Sequence, residues 1–209
     1  MTRNRLFIGQ SLPVSHKLRL LRTARILCHG GLIAHRTGTL PGVAAATDQP
    51  ASAIRLCRFK QRRGPFLLLA DSLRSALALS IYLSPALRRA MRQAWPGPTT
   101  FIVPGAGPRA AGISPACFGG QRIRGRSIAM RVDADISCRY LAHLCGGLLI
   151  SSSLNRKGRR LSAPDRRLRM RWHRFLNAQI PFGGGSGKAS ALLKWTGSRL
   201  SPLRLPAPA

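Results

Sequence analysis

The sequence predicts an α/β protein in which helices flank a sheet. Short apolar runs rich in β-branched residues alternate along the chain with longer amphipathic segments, an order typical of layered α/β domains. The chain has 209 residues, enough for one domain with a substantial core and a short extension. Hydrophobic residues make up 44% of it, and this fraction excludes an intrinsically disordered protein.

Six helices are predicted, and most of them begin at residues that favour helix N-termini. Serine can cap the first backbone N–H groups of a helix, and proline is tolerated at the first helical position. These signals place helix starts at Ser15, Pro50, Ser72, Ser84 and Pro164. A sixth helix is expected around Ile136–Cys145, and Gly30 and Gly31 are expected to end the first one.

Apolar segments between the helices predict six strands. They are GLIAH (31–35), FLLLA (66–70), TTFIVP (99–104), SIAMRV (127–132), LLI (148–150) and ASALLKW (189–195). Residues 36–48, between the first strand and the second helix, are rich in glycine and small residues and include a proline. This segment is therefore predicted to be a loop.

The chain is strongly basic. It contains 35 lysines and arginines against five acidic residues, which gives a net charge of +30. All five acids are aspartates, so acid–base catalysis by a pair of glutamates is excluded. A charge of this size favours a polyanionic partner such as RNA. The alternative is a compositional bias without a dedicated binding patch, because the cations are spread along the whole chain.

The cysteines and histidines show no metal-binding pattern. The five cysteines contain no C-x-x-C pair, which indicates free thiols in a reducing compartment. No two histidines lie four residues apart, so no helical zinc pair is expected. No signal peptide and no run approaching about 18 apolar residues is recognisable, and we therefore expect a cytoplasmic protein.

One nucleotide-binding motif and one hydrolase motif are both absent from the sequence. The segment GGGSGK (183–188) resembles a phosphate-binding P-loop, but Phe182 stands at the position of the first glycine and Ala189 at that of the hydroxyl residue. No G-x-S-x-G occurs, so a nucleophile elbow is excluded.

Six segments, in order, resemble the YrdC family of threonylcarbamoyl-adenylate synthases. They are FKQRRGPFLLLA (59–70), WPGPTTFIVPG (95–105), SIAMRV (127–132), LLISSSLN (148–155), GKASALLKWTG (187–197) and PLRLP (202–206). The resemblance implies a single domain over residues 15–206, with a twisted sheet of mixed parallel and antiparallel strands flanked by helices. Residues 1–14 are predicted to be an N-terminal extension.

The chain departs from the family pattern in four places. The family's Tyr-Pro-Thr-Glu corresponds to His35-Arg36-Thr37-Gly38, so the glutamate is lost. Its Gly-x-Gly corresponds to GVA (42–44), its Ser-Ala-Asn to SLN (153–155), and the loop after Lys60 is two residues shorter.

The resemblance implies one reaction. The amine of threonine captures bicarbonate or carbon dioxide, and the carboxylate so formed attacks the α-phosphate of ATP and releases pyrophosphate. The product, threonylcarbamoyl-AMP, passes to a partner transferase that modifies adenosine in tRNA. Positioning and charge neutralisation dominate such chemistry, so no catalytic nucleophile is expected, and Mg²⁺ is expected to accompany ATP.

The resemblance also implies the site residues. Threonine contacts are expected from Thr37, Arg131, Ser151 and Ser190. ATP contacts are expected from Lys60, Arg62, Ser127, Ser153 and Arg204.

The position of Arg131 in the sequence gives a second reason to expect that it binds a carboxylate. A guanidinium in an apolar strand is costly to bury without a partner, and a substrate carboxylate is a ready one. Asp133 is expected to be a poor partner, because it lies only two residues away. Asn155 is expected to hold the turn at the strand end.

The alternative function is a non-catalytic RNA-binding paralogue on the same fold. The lost glutamate and the net charge of +30 favour it. Aromatic residues make up only 6% of the chain, which disfavours readout of single strands by stacking.

Overall fold

The structure is a computed structural model, and it describes residues 12–80, 82–104, 110, 112–118, 127–155, 166–180 and 185–205. Its helices are α1 (Val14–Cys28), α2 (Pro50–Lys60), α3 (Leu73–Leu77), α4 (Pro85–Ala94), α5 (Ile136–Leu144) and α6 (Arg166–Phe175). Its strands are β1 (Ile33–His35), β2 (Gly42–Ala46), β3 (Leu67–Ala70), β4 (Thr99–Pro104), β5 (Ser127–Val132), β6 (Leu148–Ser153), β7 (Ala178–Gln179), β8 (Ala191–Trp195) and β9 (Leu200–Arg204).

These nine strands form one sheet in the order β7-β1-β2-β6-β3-β5-β4-β8-β9. The pairs β1–β7, β3–β5 and β4–β8 are parallel, and the other five pairs are antiparallel. The predicted α/β fold with a mixed sheet and flanking helices is confirmed. The domain limits at residues 15 and 206 remain a prediction, since residues 1–11 and 206–209 lie outside the described part.

Two apolar clusters cover opposite faces of the sheet. The first cluster includes Phe101 and Met130 of the sheet and contains the buried side chains of α2, α3 and α4. The second includes Leu69 and Leu149 and contains those of α1 and α5. Each fully buried leucine of this kind contributes roughly 1.5–3 kcal/mol relative to an exposed one.

Most predicted helix starts agree with the structure. Ser72 and Ser84 accept hydrogen bonds from the backbone N–H groups of Ser75 and Leu87, each at 3.2 Å, and Pro50 is the first residue of α2. The cap at Ser15 is wrong, because the carbonyl of Pro13 already accepts the first helical bond and α1 begins one residue before Ser15. The start predicted at Pro164 lies outside the described residues, which resume at Arg166.

The predicted strands are all present, but three others were not predicted. Residues 42–46 form β2, where a loop was expected from their small side chains. This strand is fully buried between β1 and β6, so pairing on both edges overrides its weak intrinsic preference for strand. Strands β7 and β9 lie at the two sheet edges, where a short pairing leaves little apolar pattern in the sequence.

Two further features bear on location and redox state. Within the described part of the chain, no helix combines the length and the apolar character needed to cross a membrane. All five cysteines are free thiols.

Candidate functional site

Two central strands carry polar side chains on one face of the sheet. Ser127 and Arg131 belong to β5, and Ser151 and Ser153 belong to β6. Residues two or four apart in a strand point to the same side. Met130, next to Arg131, points into the first apolar cluster. The four polar side chains therefore share the opposite face, which we call the polar face.

Burial on the polar face increases from its rim inwards. Ser127 is exposed, Ser153 is half-buried, and Ser151 and Arg131 are each 3% exposed. Leu149, two residues before Ser151, belongs to the second apolar cluster. The polar face thus begins where that cluster stops, and it has a buried inner end and an open rim.

Arg131, at the inner end, is paired within the protein. Its Nη2 lies 2.7 Å from Asp133 Oδ2, and its Nη1 donates to Thr39 Oγ1 at 2.9 Å. Both members of the ion pair are almost fully buried. The expectation that Asp133 would be a poor partner is therefore wrong. Strand β5 ends at Val132, so Asp133 is free of strand geometry and its carboxylate can turn back to the guanidinium.

The Asp133 carboxylate joins three segments of the chain. Besides its pair with Arg131, its Oδ1 accepts hydrogen bonds from the backbone N–H groups of Gly38 (2.6 Å) and Asp135 (2.9 Å). It therefore ties the end of β5 to the loop after β1 and to the start of α5. A buried carboxylate is tolerated only with such compensation.

The two threonines of the loop after β1, Thr37 and Thr39, are hydrogen-bonded to each other. Thr37 Oγ1 donates to the carbonyl of Leu40 at 2.8 Å and accepts from the backbone N–H of Thr39 at 3.1 Å. The two threonine hydroxyls are 3.0 Å apart, and both residues are buried. Thr37 thus closes a tight turn, and Thr39 links this turn to Arg131.

A glycine-containing segment packs against the same loop. The backbone N–H groups of Ser186 and Gly187 donate to the carbonyls of Gly38 (3.0 Å) and Thr39 (3.3 Å). A Cβ on Gly185 would lie 2.5 Å from the carbonyl oxygen of Thr39, so only glycine permits this approach. The described part of GGGSGK therefore supports the loop after β1.

His35 of β1 points to the same side of the sheet as the polar face and contacts Ser151. Its Nε2 is 3.0 Å from Ser151 Oγ, and the imidazole is 1% exposed. Burial lowers the pKa of His35 to about 4, and the nearby charge of Asp133 opposes this shift only partly. The imidazole is thus neutral at physiological pH and fixes the orientation of the serine hydroxyl.

The rim carries two of the three cations expected to contact ATP. Lys60, the last residue of α2, donates from Nζ to the carbonyls of Ser153 and Asn155, both at 2.5 Å. Arg62 is exposed, with Nη1 donating to the carbonyl of Pro65 (3.0 Å) and its guanidinium carbon 4.6 Å from the ring centroid of Phe66. Both cations therefore border the end of β6 and the start of β3.

Ser190 and Arg204 form a third group towards the β8–β9 edge of the sheet. Ser190 is buried at the start of β8, with its Oγ 3.0 Å from Thr100 Oγ1. Arg204 Nε donates to the Ser190 carbonyl at 2.9 Å, and its Nη2 lies 3.3 Å from Ser190 Oγ. Arg204 thus orients the serine that the resemblance assigns to threonine.

The structure connects six of the nine expected residues in three pairs, two of them direct and one through Thr39. Thr37 is joined to Arg131 through Thr39, Lys60 to Ser153, and Ser190 to Arg204.

Three polar residues of the site, His35, Thr39 and Thr100, were given no role from the sequence, and Asp133 was considered there only as a poor partner for Arg131. Asp133 had a usable signal, since it is one of only five acids and lies two residues from Arg131.

The described residues of the site do not form a cluster of metal-ligating side chains. Across the described residues, no group of three or more histidine, cysteine or acidic side chains is placed to hold a metal ion. Of the carboxylates near the polar face, Asp133 is engaged as above, and Asp135 pairs with Arg36 (2.7 Å) and accepts from the backbone N–H of Cys138.

A sheet of this topology with this polar face defines a family of proteins. A family model for Sua5, YciO and YrdC proteins, described as "Telomere recombination", matches residues 25–205. The match includes every residue of the polar face and all nine strands. The chain therefore belongs to the Sua5/YciO/YrdC family, and the resemblance to YrdC proteins is confirmed.

Curated relatives within this family carry one name. The threonylcarbamoyl-AMP synthase of Thiobacillus denitrificans is 34% identical over 134 residues, which cover 63% of this chain and 67% of that protein. The threonylcarbamoyl-AMP synthase of Alkalilimnicola ehrlichii is 32% identical over 143 residues, covering 68% and 70% of the two chains.

Solved structures support the fold. The crystal structure of P. abyssi Sua5 complexed with L-threonine has a TM-score of 0.78 at 18% identity and covers 94% of this chain. This chain spans only 56% of that Sua5 protein. E. coli YciO has a TM-score of 0.77 at 20% identity, with 92% of this chain and 91% of that chain covered.

Proposed function

We propose that this protein is a threonylcarbamoyl-AMP synthase. It would make threonylcarbamoyl-adenylate and pyrophosphate from L-threonine, bicarbonate or carbon dioxide, and ATP, and so act as a nucleotidyltransferase. The observation that carries the proposal is the polar face: serine and arginine positions that resemble the family's lie on one side of the sheet, on the two strands that flank β3, in a chain whose relatives bear this name.

The threonine side of the reaction is proposed for the inner end. A carboxylate needs fixed donors, and Arg131 retains one: its buried Nε has no hydrogen-bond partner among the described residues. We assign the threonine carboxylate to this N–H, and the amine and hydroxyl to Thr37, Ser151 and Ser190. Low solvent access at this end strengthens each such contact.

The ATP side is proposed for the rim. Lys60 and Arg62 bring positive charge at the rim, Arg204 adds a third cation from β9, and Ser127 and Ser153 bring hydroxyl donors. Charge-assisted hydrogen bonds to phosphate oxygens are the strong ones, and they would neutralise charge as pyrophosphate leaves. No side chain need act as a nucleophile, since the attacking carboxylate forms on threonine itself.

Mg²⁺ is proposed to enter with the triphosphate. Asp133 and Asp135 already have protein partners, so the ion would be held by phosphate oxygens and water, the ligand set that Mg²⁺ commonly keeps. The downstream steps are proposed on family grounds: a partner transferase, tRNA as the final acceptor, and a cytoplasmic location.

The experiment is a pyrophosphate-release assay with ATP, threonine and bicarbonate. Release should require both threonine and bicarbonate. Lys60→Met should raise the KM for ATP about tenfold or more with a smaller effect on the KM for threonine, because a charge-assisted bond contributes roughly 1.5–3 kcal/mol. Lys194→Met, an exposed change on β8, is the matched control.

A second candidate function is RNA binding without catalysis. The observation that favours it is Gly38 in place of the family's glutamate, together with the charge of +30. Pyrophosphate release that is absent, or indifferent to threonine, would favour this candidate over the synthase.

A further inference from the structure

A basic groove lies on the outer side of α4. It has a volume of about 440 Å³ and is lined by Tyr82, Leu83, Pro85, Arg88, Arg89 and Arg92. We call these six residues the α4 groove.

The α4 groove is separate from the polar face. The inward side of α4 buries Leu87 and Met91 in the first apolar cluster, together with Phe101 of β4. Arg131 and the serines of the polar face point to the opposite side of the sheet. A ligand in the α4 groove therefore does not occupy the proposed substrate site.

Three guanidinium groups dominate the groove. Arg88, Arg89 and Arg92 are all exposed, and none of the six lining residues is acidic. Arg88 and Arg92 are one turn apart and so lie on the same side of the helix, about 6 Å apart along its axis. Arginine presents a planar fork of donors that matches phosphate oxygens in a bidentate manner.

One of these arginines is held in place. Arg88 Nε donates to the backbone carbonyl of Leu83 at 3.1 Å, which ties the side chain to the segment before the helix. This contact uses only Nε and restrains the side chain, which reduces the conformational entropy that binding would cost.

Tyr82 adds an aromatic surface beside the cations. Its side chain is 72% exposed, although the next residue, Leu83, is buried. An exposed aromatic ring beside a track of positive charge is the combination by which proteins bind single-stranded nucleic acids: bases stack on the ring and phosphates contact the cations.

We propose that the α4 groove binds single-stranded RNA, with phosphates on Arg88, Arg89 and Arg92 and one base stacked on Tyr82. An acidic protein segment would satisfy the arginines but would leave the exposed ring without a role. The net charge of +30 adds long-range attraction for a polyanion of this kind. The inference concerns binding alone and does not depend on the reaction proposed for the polar face.

The test is fluorescence anisotropy with a 5′-fluorescein-labelled 12-nucleotide single-stranded RNA, titrated at several salt concentrations. The triple variant Arg88→Gln/Arg89→Gln/Arg92→Gln should bind at least tenfold more weakly. The dependence of log affinity on log salt should become shallower, its slope changing by about 2. Each phosphate that the protein no longer neutralises reduces the size of this slope by roughly 0.7.

A matched control separates the groove from net charge. Arg19, Arg22 and Arg25 are also exposed on one helix, α1, which covers the opposite face of the sheet. The triple Gln variant at these positions removes the same charge and should weaken binding less than threefold. Equal losses of affinity in the two triple variants, or an unchanged affinity in the α4 variant, would overturn the proposal.

Tyr82→Ser tests the stacking contact. It should weaken binding roughly fivefold or more, with an unchanged salt slope, because a stacked base contributes about 1–3 kcal/mol. Unchanged affinity in Tyr82→Ser, together with equally effective competition by poly-L-glutamate, would identify a surface for acidic proteins instead. If the α4 triple variant does not fold, Arg89→Gln/Arg92→Gln keeps the bond between Arg88 and Leu83 and should show about two thirds of the slope change.

Discussion

The two ends of the polar face hold their charges in different ways. At the inner end, Arg131 is paired with Asp133, and both side chains are nearly inaccessible to water. At the rim, Lys60 and Arg62 donate hydrogen bonds to backbone carbonyls. The difference follows from burial, because Lys60 is only half-buried and Arg62 is exposed, and a charge that reaches water does not need an opposite charge beside it.

This difference separates a fixed end from an adaptable one. The Asp133 carboxylate, Arg131 and the two loop threonines form one connected network of an ion pair and hydrogen bonds. Such a network restrains its members, and Arg131 Nε still keeps, among the described residues, an unused N–H for a ligand. The rim cations can exchange carbonyl oxygens for phosphate oxygens without exposing an unpaired buried charge. We therefore expect stability to depend on the inner end and nucleotide affinity on the rim.

The largest effect is expected for Asp133→Asn. This change leaves Arg131 as a buried charge without its counter-ion, which typically costs about 3–5 kcal/mol. The free energy of unfolding, measured with urea, should fall by this amount.

Asp48→Asn is the control for Asp133→Asn, since Asp48 is exposed and its loss should change the free energy of unfolding by less than about 0.5 kcal/mol. Similar values for the two variants would mean that the Arg131–Asp133 pair does not stabilise the inner end.

The next effect concerns His35 and pH. Its pKa is about 4 in the folded protein against 6.5 in an unfolded chain, so the unfolded state binds more protons between these values. The contribution of neutral His35 to the free energy of unfolding is fully present above pH 6.5. It is lost as the pH falls towards 4. At pH 5 the loss should be about 2 kcal/mol.

Urea unfolding at pH 8 and pH 5 measures this loss, and His35→Gln supplies the comparison because glutamine does not titrate. The variant should lose about 2 kcal/mol less than the wild type between the two pH values. An identical pH dependence in both proteins would show that His35 is not kept neutral by burial.

The contacts of the expected site residues could not be predicted from the sequence. The family segments pointed to Arg131 but not to its partner, because local sequence spacing cannot show where a strand ends and the chain turns back. Thr39 was missed for a related reason. Its contact with Arg131 spans 92 positions in the sequence, and a loop residue carries no periodic pattern.

The fold was predictable where burial leaves a strong pattern. Strand β5, with its alternating residues, was predicted with the same bounds that the structure shows. Strand β2 was not, since GVAAA is typical of a loop until its pairing with β1 and β6 is known.

A smaller effect is expected where the inner end meets the segment 185–187. In Gly185→Ala, the new Cβ would approach the Thr39 carbonyl oxygen to 2.5 Å, and the segment must move. Because this segment is exposed, it can shift, and we expect a loss of only about 1 kcal/mol in stability.

The expected kinetic signature of Gly185→Ala is a raised KM for threonine with an unchanged KM for ATP. Gly112→Ala is the control, since a Cβ there meets nothing within 4 Å. A raised KM for ATP instead would place the segment at the rim of the site.

The smallest effect is expected for Arg36→Gln, which removes the second ion pair of this region. Arg36 Nε lies 2.7 Å from Asp135 Oδ2, as short a contact as that between Arg131 and Asp133, but the arginine side chain is 32% exposed. Asp135 also keeps its hydrogen bond from the Cys138 N–H at the start of α5 after the change. Partly exposed pairs contribute about 0–1 kcal/mol, so urea unfolding should show a loss of about 0.5 kcal/mol that disappears in high salt. A loss as large as that of Asp133→Asn would mean that distance, and not burial, determines how much an ion pair stabilises this protein.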